Sequence, residues 1–197
     1  MLMTLPNLLT LSRIAVIPLV IGTFYLAQPW SAWLGGGLFA LACVTDWLDG
    51  HFARRWQQFS AFGRFLDPIA DKLLVAVVLM MLVAFERLSR SALFPALVIL
   101  AREILVSGLR EFLAGLRVSL PVSRLAKWKT GIQMVALGVL LIGPEGPGWL
   151  PMVGLGETLL WLAALLTMVT GYDYLRAGLK HMDADDPPTV KAVGGAE

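Results

Sequence analysis

Long apolar runs, separated by short polar or turn-forming stretches, dominate the chain from residue 8 to residue 175. A helix needs about 20 apolar residues to cross the hydrocarbon layer of a bilayer. Six stretches fit this length, over residues 8–27, 33–53, 65–85, 93–113, 125–142 and 155–175. The pattern therefore predicts an all-α polytopic membrane protein with six transmembrane helices.

The breaks between these runs have the composition of loops. Gln28-Pro29 separates the first two runs, and a Gly-Pro-Glu-Gly-Pro-Gly segment at 143–148 separates the last two. The triplet at 35–37, Gly-Gly-Gly, permits two interpretations: close packing against another helix, or a flexible entry to the second span. We expect residues 1–181 to form one catalytic transmembrane domain. Residues 182–197, rich in Asp, Pro, Gly and Ala, are expected to form a disordered tail.

Composition agrees with a membrane location, and the distribution of charge predicts an orientation. Hydrophobic residues make up 57% of the chain and charged residues 15%, whereas soluble domains carry about 25% charged residues. By the positive-inside rule, the connections richest in Lys and Arg face the cytoplasm, and here they follow spans two, four and six. We therefore expect a multi-pass protein of the bacterial cytoplasmic (inner) membrane, with both termini in the cytoplasm. The basic residues concerned are Arg54, Arg55, Arg64, Arg117, Arg124, Lys127, Lys129, Arg176 and Lys180.

Four aspartates lie near the cytoplasmic ends of spans two and three. Asp46 and Asp49 are three residues apart, and Asp67 and Asp71 are four apart, so each pair shares one face of its helix. Ionisable groups at membrane depth are costly and usually mark a functional site inside the bundle. Two neighbouring helices can thus present two carboxylates each to one pocket that faces the cytoplasm.

Four like charges in a poorly solvated place need neutralisation by protons, basic side chains or metal ions. Carboxylate oxygens suit Mg²⁺ or Mn²⁺ better than zinc or copper. Two such ions would balance four carboxylates and could hold a pyrophosphate during phosphoryl transfer. The small residues Gly50, Ala53 and Gly63 leave room for a nucleotide beside the carboxylates.

Structural roles for single aspartates stay open at this point. Asp67 precedes Pro68 and could be a helix N-cap. Asp71 could pair with Lys72 or Arg64, and Asp46 or Asp49 with Arg54. A cation transporter would also place acidic residues in the membrane, although it should hold them near the midplane.

The same residues carry a family resemblance. Eight positions with their spacing resemble the CDP-alcohol phosphotransferase signature: Asp46, Asp49, Gly50, Ala53, Arg54, Gly63, Asp67 and Asp71. The wider chain, over roughly residues 4–175, resembles the bacterial phosphatidylglycerophosphate synthase branch of that family. The segments concerned are 6–13, 101–104, 109–111 and 127–130.

The resemblance implies a six-helix fold, usually a homodimer, and attack by an alcohol hydroxyl on a CDP-linked phosphorus with release of CMP. It implies that Asp46, Asp49 and Asp67 are metal ligands. Asp71 would be the catalytic base and a further ligand. The residues implied to bind CDP are Asp49, Gly50, Ala53, Arg54, Gly63, Thr10 and Arg13.

For the acceptor, a basic cluster near the same face is expected to hold a phosphate. Its members are Arg102, Arg110, Lys127 and Lys129. The expected substrates are therefore CDP-diacylglycerol and glycerol 3-phosphate, in contact with membrane lipid and without nucleic acid. Inositol phosphate, serine or phosphatidylglycerol stay open as acceptors. The two lysines could instead be topology signals or contacts to anionic headgroups.

Overall fold

The computed structural model describes residues 5–56, 61–115 and 124–184, with their side chains except those at 5–7, 49–56, 61, 62, 64, 177 and 179–184. Within these ranges the chain forms α-helices and two short 3-10 turns, and no strand. The α-helices are α1 (Leu5–Thr23), α2 (Trp30–Trp56), α3 (Ala61–Ala84), α4 (Leu93–Gly115), α5 (Arg124–Ile142) and α6 (Met152–Ala184). The prediction of an all-α protein is confirmed.

Four described stretches are long and apolar enough to cross a membrane: Trp30–Leu48, Arg90–Gly115, Arg124–Glu145 and Met152–Arg176. Helix α1 contributes a shorter apolar stretch, Leu8–Thr23. Helix α3 carries Asp67, Asp71 and Lys72 in its first half, and these charges interrupt its apolar run. Large apolar side chains are exposed around the outside of the bundle, as expected for a surface that meets lipid.

The helices pack around one apolar core. Helix α5 packs most extensively against α6, α1 lies against α2 and α3, and α4 lies against α6. Since side chains from α1, α3, α5 and α6 meet in the core, the bundle is a single unit. Members with no exposed surface include Val20, Val78, Leu82, Leu137, Leu141 and Leu160.

The glycine triplet lies inside α2 and permits close helix packing. A Cβ on Gly35 would stand 2.9 Å from Oγ1 of Thr23 in α1, and one on Gly36 would stand 2.9 Å from Cγ1 of Ile142 in α5. Both distances are too short for a real Cβ contact. Of the two sequence interpretations, the structure therefore supports close packing.

One end of the bundle, which we call the Arg87 end, joins the start of α2, the α3–α4 connection, the end of α5 and the start of α6. The Arg87 guanidinium donates to the Leu141 carbonyl at 3.1 Å and to Oγ of Ser31 at 2.5 Å. The backbone N–H and the hydroxyl of Ser89 donate to the Glu157 carboxylate at 2.7 and 2.9 Å. These bonds connect all four elements at this end.

The opposite end, which we call the aspartate end, gathers the start of α1, the end of α2, the start of α3, the end of α4 and the start of α5. Its connections at 57–60 and 116–123 lie outside the described residues. Helix α6 also ends here and continues to Ala184, past the predicted domain boundary at 182. The remainder of the predicted tail, 185–197, lies outside the described residues.

Candidate active site

Helix α1 organises the aspartate end. Thr10 and Arg13 are three residues apart, so they share one face of the helix. Both side chains are buried, each with 1% of its surface exposed. An arginine buried to this extent requires carboxylates or other acceptors around it, and it finds them on α2 and α3.

Arg13 brings together aspartates from two different helices. Its Nη2 lies 2.8 Å from Oδ1 of Asp46 on α2, and its Nη1 donates to Oδ1 of Asp71 on α3. The aspartate side chains are 45% and 43% exposed, respectively. Each carboxylate therefore meets the guanidinium on one side and remains partly open on the other.

Asp67 joins the same group through Thr10, whose hydroxyl donates to Oδ1 of Asp67 at 2.5 Å. Asp67 and Asp71 are one turn apart on α3, and Thr10 and Arg13 are nearly one turn apart on α1. Two parallel contacts thus align α3 with α1. Three of the four predicted aspartates gather along this face, while the side chain of Asp49 lies outside the described residues.

The N-cap interpretation of Asp67 is wrong. Helix α3 begins at Ala61, so Asp67 and Pro68 both lie inside it. Proline is tolerated most easily in the first turn of a helix, and here it stands in the third. Lys72, one of the cations considered as a partner for Asp71, donates to the Pro68 carbonyl at 2.8 Å.

A cavity of about 240 Å³ opens beside the aspartates, between α3, α4, α5 and α6. Asp46 and Asp71 line it together with several cationic and polar side chains, which include Lys72, Arg102, Glu103, Arg110, Lys129, Thr130, Gln133 and Tyr174. We call it the acceptor cavity, because three of the four cations expected to bind the acceptor's phosphate line it: Arg102, Arg110 and Lys129. A larger cavity of about 550 Å³ between α3 and α4 shares Lys72, Arg102, Glu103 and Arg110 with it.

The cations of the acceptor cavity are held by groups that the sequence analysis did not single out. Lys129 is 3% exposed and forms an ion pair with Glu103. Arg102 donates to Oγ1 of Thr170 at 3.1 Å and lies 3.5 Å from Glu103. Glu103 thus joins α4 to α5, and Thr170 joins α6 to α4.

An aromatic ring completes this arrangement. The guanidinium carbons of Arg102 and Arg110 lie 5.7 and 6.0 Å from the centre of the Tyr174 ring, within the range of a cation–π contact. Glu103 could have been found from the sequence, because an acidic residue inside an apolar span usually marks a functional site. Thr170 and Tyr174 carried none, since polar or aromatic residues are ordinary in such helices.

Lys127 is not brought into the acceptor cavity. It is two residues from Lys129 on α5, and residues two apart on a helix face different directions. Lys127 is exposed and lines a separate apolar groove of about 440 Å³ beside Trp128 and Ile132. The structure therefore gathers three of the four predicted acceptor-binding cations.

Most of the predicted CDP-binding positions cannot be placed by their side chains. Those of Asp49, Gly50, Ala53 and Arg54 lie outside the described residues, although the α2 backbone runs through them. Gly63 is buried near the start of α3. Thr10 and Arg13 are described, and both contact aspartates, as reported above.

The grouped carboxylates fit a hard divalent cation in their chemistry. Asp46 and Asp71 flank a small cavity of about 70 Å³ that Arg13 and Cys43 also line, and carboxylate oxygens are ligands of Mg²⁺ and Mn²⁺. The described side chains alone contain no group of three or more His, Cys, Asp and Glu close enough to hold one ion. Asp49, a predicted ligand, is not among those side chains.

A profile of the CDP-alcohol phosphatidyltransferase family matches residues 3–169. The chain belongs to this family. The match spans α1 to α5 and much of α6, so it includes all four aspartates and the residues that line the acceptor cavity except Tyr174. Members of this family are generally metal-dependent, which agrees with the chemistry of the grouped carboxylates.

Individual members of the family are similar along nearly the whole chain. A protein from Rickettsia bellii is 51% identical over 177 residues, which cover 90% of this chain and 96% of the relative. A protein from Pseudomonas fluorescens is 44% identical, with 96% and 97% covered, and one from Shigella flexneri is 46% identical, with 88% and 93% covered. All three are named CDP-diacylglycerol–glycerol-3-phosphate 3-phosphatidyltransferase.

Proposed function

We propose that this protein transfers the phosphatidyl group of CDP-diacylglycerol to glycerol 3-phosphate, forming phosphatidylglycerophosphate and CMP. The observation that carries the proposal is the acceptor cavity, which Asp71 lines together with Arg102, Arg110 and Lys129. The spacing of the aspartates and the names of the similar proteins support the same reaction.

The reaction needs one proton transfer and one exchange of bonds at phosphorus. The acceptor's hydroxyl oxygen forms a bond to the diacylglycerol-linked phosphorus, and the bond from that phosphorus to the CMP phosphate oxygen breaks. The hydroxyl proton passes to Asp71, because a positioned carboxylate makes a poor nucleophile competent. CMP leaves as a phosphate anion, so no covalent enzyme intermediate is required.

Divalent cations fit the donor side of this site. Asp46, Asp49, Asp67 and Asp71 would hold Mg²⁺ or Mn²⁺, in our proposal two ions, which when bound neutralise the pyrophosphate of the donor. Arg13 and Thr10 orient three of these carboxylates through the contacts described above.

The nucleotide is proposed to lie along the end of α2 and the start of α3. The small residues Gly50, Ala53 and Gly63 would let the backbone approach it closely, and Arg54 and Asp49 would supply polar contacts. Thr10 and Arg13 complete the proposed set. The support is the spacing of these residues in the sequence and the position of their helices at the aspartate end.

The acceptor's phosphate is proposed to bind Arg102, Arg110 and Lys129. Two arginines and a lysine around one cavity suit a phosphate, because hydrogen bonds between ionised partners are the strong ones. Lys127 lines the separate groove described above, where contact with an anionic lipid headgroup suits it better.

We further propose that the protein acts as a homodimer in the bacterial cytoplasmic membrane, with its active site facing the cytoplasm. The concentration of Lys and Arg around the connections at the aspartate end supports this orientation. The apolar outer surface supports residence in a bilayer.

An acceptor panel tests the proposed function. Purified protein and CDP-diacylglycerol would be mixed with glycerol 3-phosphate, serine, inositol phosphate or phosphatidylglycerol, and CMP release measured with and without a chelator. We expect release only with glycerol 3-phosphate, and none once the chelator is present. Release with serine but not with glycerol 3-phosphate would refute the proposed acceptor, and cation flux into liposomes without turnover would indicate a transporter.

A further inference from the structure

Gln133 lines the acceptor cavity and carries a hydrogen-bond acceptor that has no partner among the described residues. The residue is 2% exposed and belongs to the cavity wall. Its Oε1 atom has no hydrogen-bond partner among the described residues. An amide oxygen can only accept hydrogen bonds, and most buried acceptors in folded proteins have a donor. A bound molecule that supplies a hydroxyl would satisfy this atom.

Gln133 also has a definite position relative to the proposed phosphate site. It follows Lys129 by four residues on α5, so the two side chains share one face and lie about one turn apart. Asp71 and Arg110 line the same cavity from α3 and α4. A small acceptor held by its phosphate near Lys129, with its reacting hydroxyl at Asp71, would pass by Gln133.

Other buried polar atoms without a partner among the described residues do not offer the same role. Oγ1 of Thr167 is buried on α6, but Thr167 lines neither of the two larger cavities at this end. Nε of Arg102 is a donor, and its guanidinium already contacts Thr170 and Glu103. Gln133 therefore differs from them: it lines the acceptor cavity and carries a neutral acceptor atom without a partner among the described residues.

We propose that Gln133 determines acceptor specificity by accepting a hydrogen bond from the hydroxyl of the acceptor that does not react. In glycerol 3-phosphate this is the hydroxyl on the middle carbon, between the phosphate-bearing carbon and the reacting one. The inference rests on the proposed function. It predicts that the enzyme favours a phosphorylated polyol over a phosphorylated alcohol that lacks the middle hydroxyl.

The test compares glycerol 3-phosphate with 3-hydroxypropyl phosphate, which lacks only that hydroxyl. CMP release would be measured for the unmodified protein and for Gln133→Met, a substitution of similar volume without an acceptor. We expect the unmodified protein to favour glycerol 3-phosphate by about tenfold or more in kcat/KM, since a site built to bind a hydroxyl rejects the analogue without it. In Gln133→Met the two acceptors should differ by less than about threefold, chiefly through loss of activity on glycerol 3-phosphate.

Two further variants separate this role from a structural one. Gln133→Glu keeps an acceptor oxygen at the same side-chain length and should retain the preference. Thr167→Val removes a buried hydroxyl outside the cavity and should leave the preference unchanged. Thermal unfolding in detergent, with a transition for each variant close to that of the unmodified protein, would show that changes in preference do not reflect misfolding.

Several results would overturn the inference. Equal loss on both acceptors in Gln133→Met, or no preference in the unmodified protein, would show that Gln133 does not contact the middle hydroxyl. If Gln133→Met instead loses activity with CDP-diacylglycerol and not with its 2′-deoxy analogue, the residue binds the ribose of the donor. Absence of CMP release with glycerol 3-phosphate, alongside release with another acceptor of the panel, would count against the proposed function itself.

Discussion

Two arginines, one at each end of the bundle, have opposite surroundings: Arg13 is buried and Arg87 is partly buried. At the Arg87 end, the guanidinium of Arg87 bonds to a carbonyl and a hydroxyl and lies 4.6 Å above the ring of Phe24. At the aspartate end, Arg13 bonds to the carboxylates of Asp46 and Asp71. Both arginines connect helices, but their partners differ in charge.

This difference in partners indicates a structural role for the Arg87 end and a binding role for the aspartate end. Burial lowers the pKa of Arg87, an effect that Glu145 opposes. The groups bonded to its guanidinium are neutral and belong to α2 and α5, so Arg87 joins these helices. At the aspartate end, the grouped carboxylates of Asp46, Asp67 and Asp71 outnumber the guanidinium of Arg13. The acceptor cavity beside them is also lined by Lys72, Arg102, Arg110 and Lys129. Acidic and basic groups therefore share one space at this end, whereas the groups bonded to Arg87 at the other end are neutral.

The largest expected effect comes from removing the charge of one carboxylate at each end and comparing the two variants. Asp71→Asn should lower the rate of CMP release by about 10²–10⁴-fold, because an amide cannot take the acceptor's proton. CDP binding, measured by titration calorimetry, should change little. Glu157→Gln makes the same chemical change at the Arg87 end and should leave turnover within about twofold of the unmodified protein. Near-equal turnover in the two variants would contradict the assignment of Asp71.

The second prediction concerns two variants, in each of which one arginine is replaced by methionine, an uncharged side chain of similar length. Arg13→Met leaves Asp46 and Asp71 without their shared cation, so turnover should fall by roughly tenfold to a hundredfold as the carboxylates separate. Arg87→Met should lower the thermal midpoint by a few degrees, on the order of 2–4 °C for each 1 kcal/mol lost, with turnover per folded molecule nearly unchanged. CMP release and thermal unfolding would be measured on both variants. The comparison fails if the loss of turnover is larger in Arg87→Met.

The smallest expected effect concerns packing near the Arg87 end. A Cβ on Gly156 would lie 2.6 Å from Cγ of Leu140, whereas one on Gly154 would meet nothing within 4 Å. Gly156→Ala should therefore cost about 1–3 kcal/mol through overpacking, partly offset by the helix propensity of alanine. Gly154→Ala is the matched control and should be neutral or slightly stabilising. Thermal unfolding measures both, and equal midpoints would show that α5 and α6 can separate at little cost.

Much of the site was predictable because it depends on spacing along single helices. Asp67 and Asp71 share a face because they are four residues apart. The basic cluster predicted from the sequence nevertheless grouped Lys127 with Lys129, although residues two apart on a helix face different directions, and in the structure only Lys129 of the two lines the acceptor cavity. The N-cap interpretation of Asp67 failed for a different reason. It placed the start of the helix at Pro68, whereas α3 begins seven residues earlier, at Ala61.

The amino-acid sequence by itself determined the membrane-spanning, all-helical class and the pairing of the aspartates, since both follow from local composition and from 3.6 residues per turn. Only the tertiary structure decided which helices face one another. Arg13 meets Asp71 across 58 positions of sequence, and Gln133 of α5 lines the same cavity as Arg102 of α4 because both helices pack against α6. Such contacts result from the packing of apolar side chains over the whole bundle, and no local spacing encodes them.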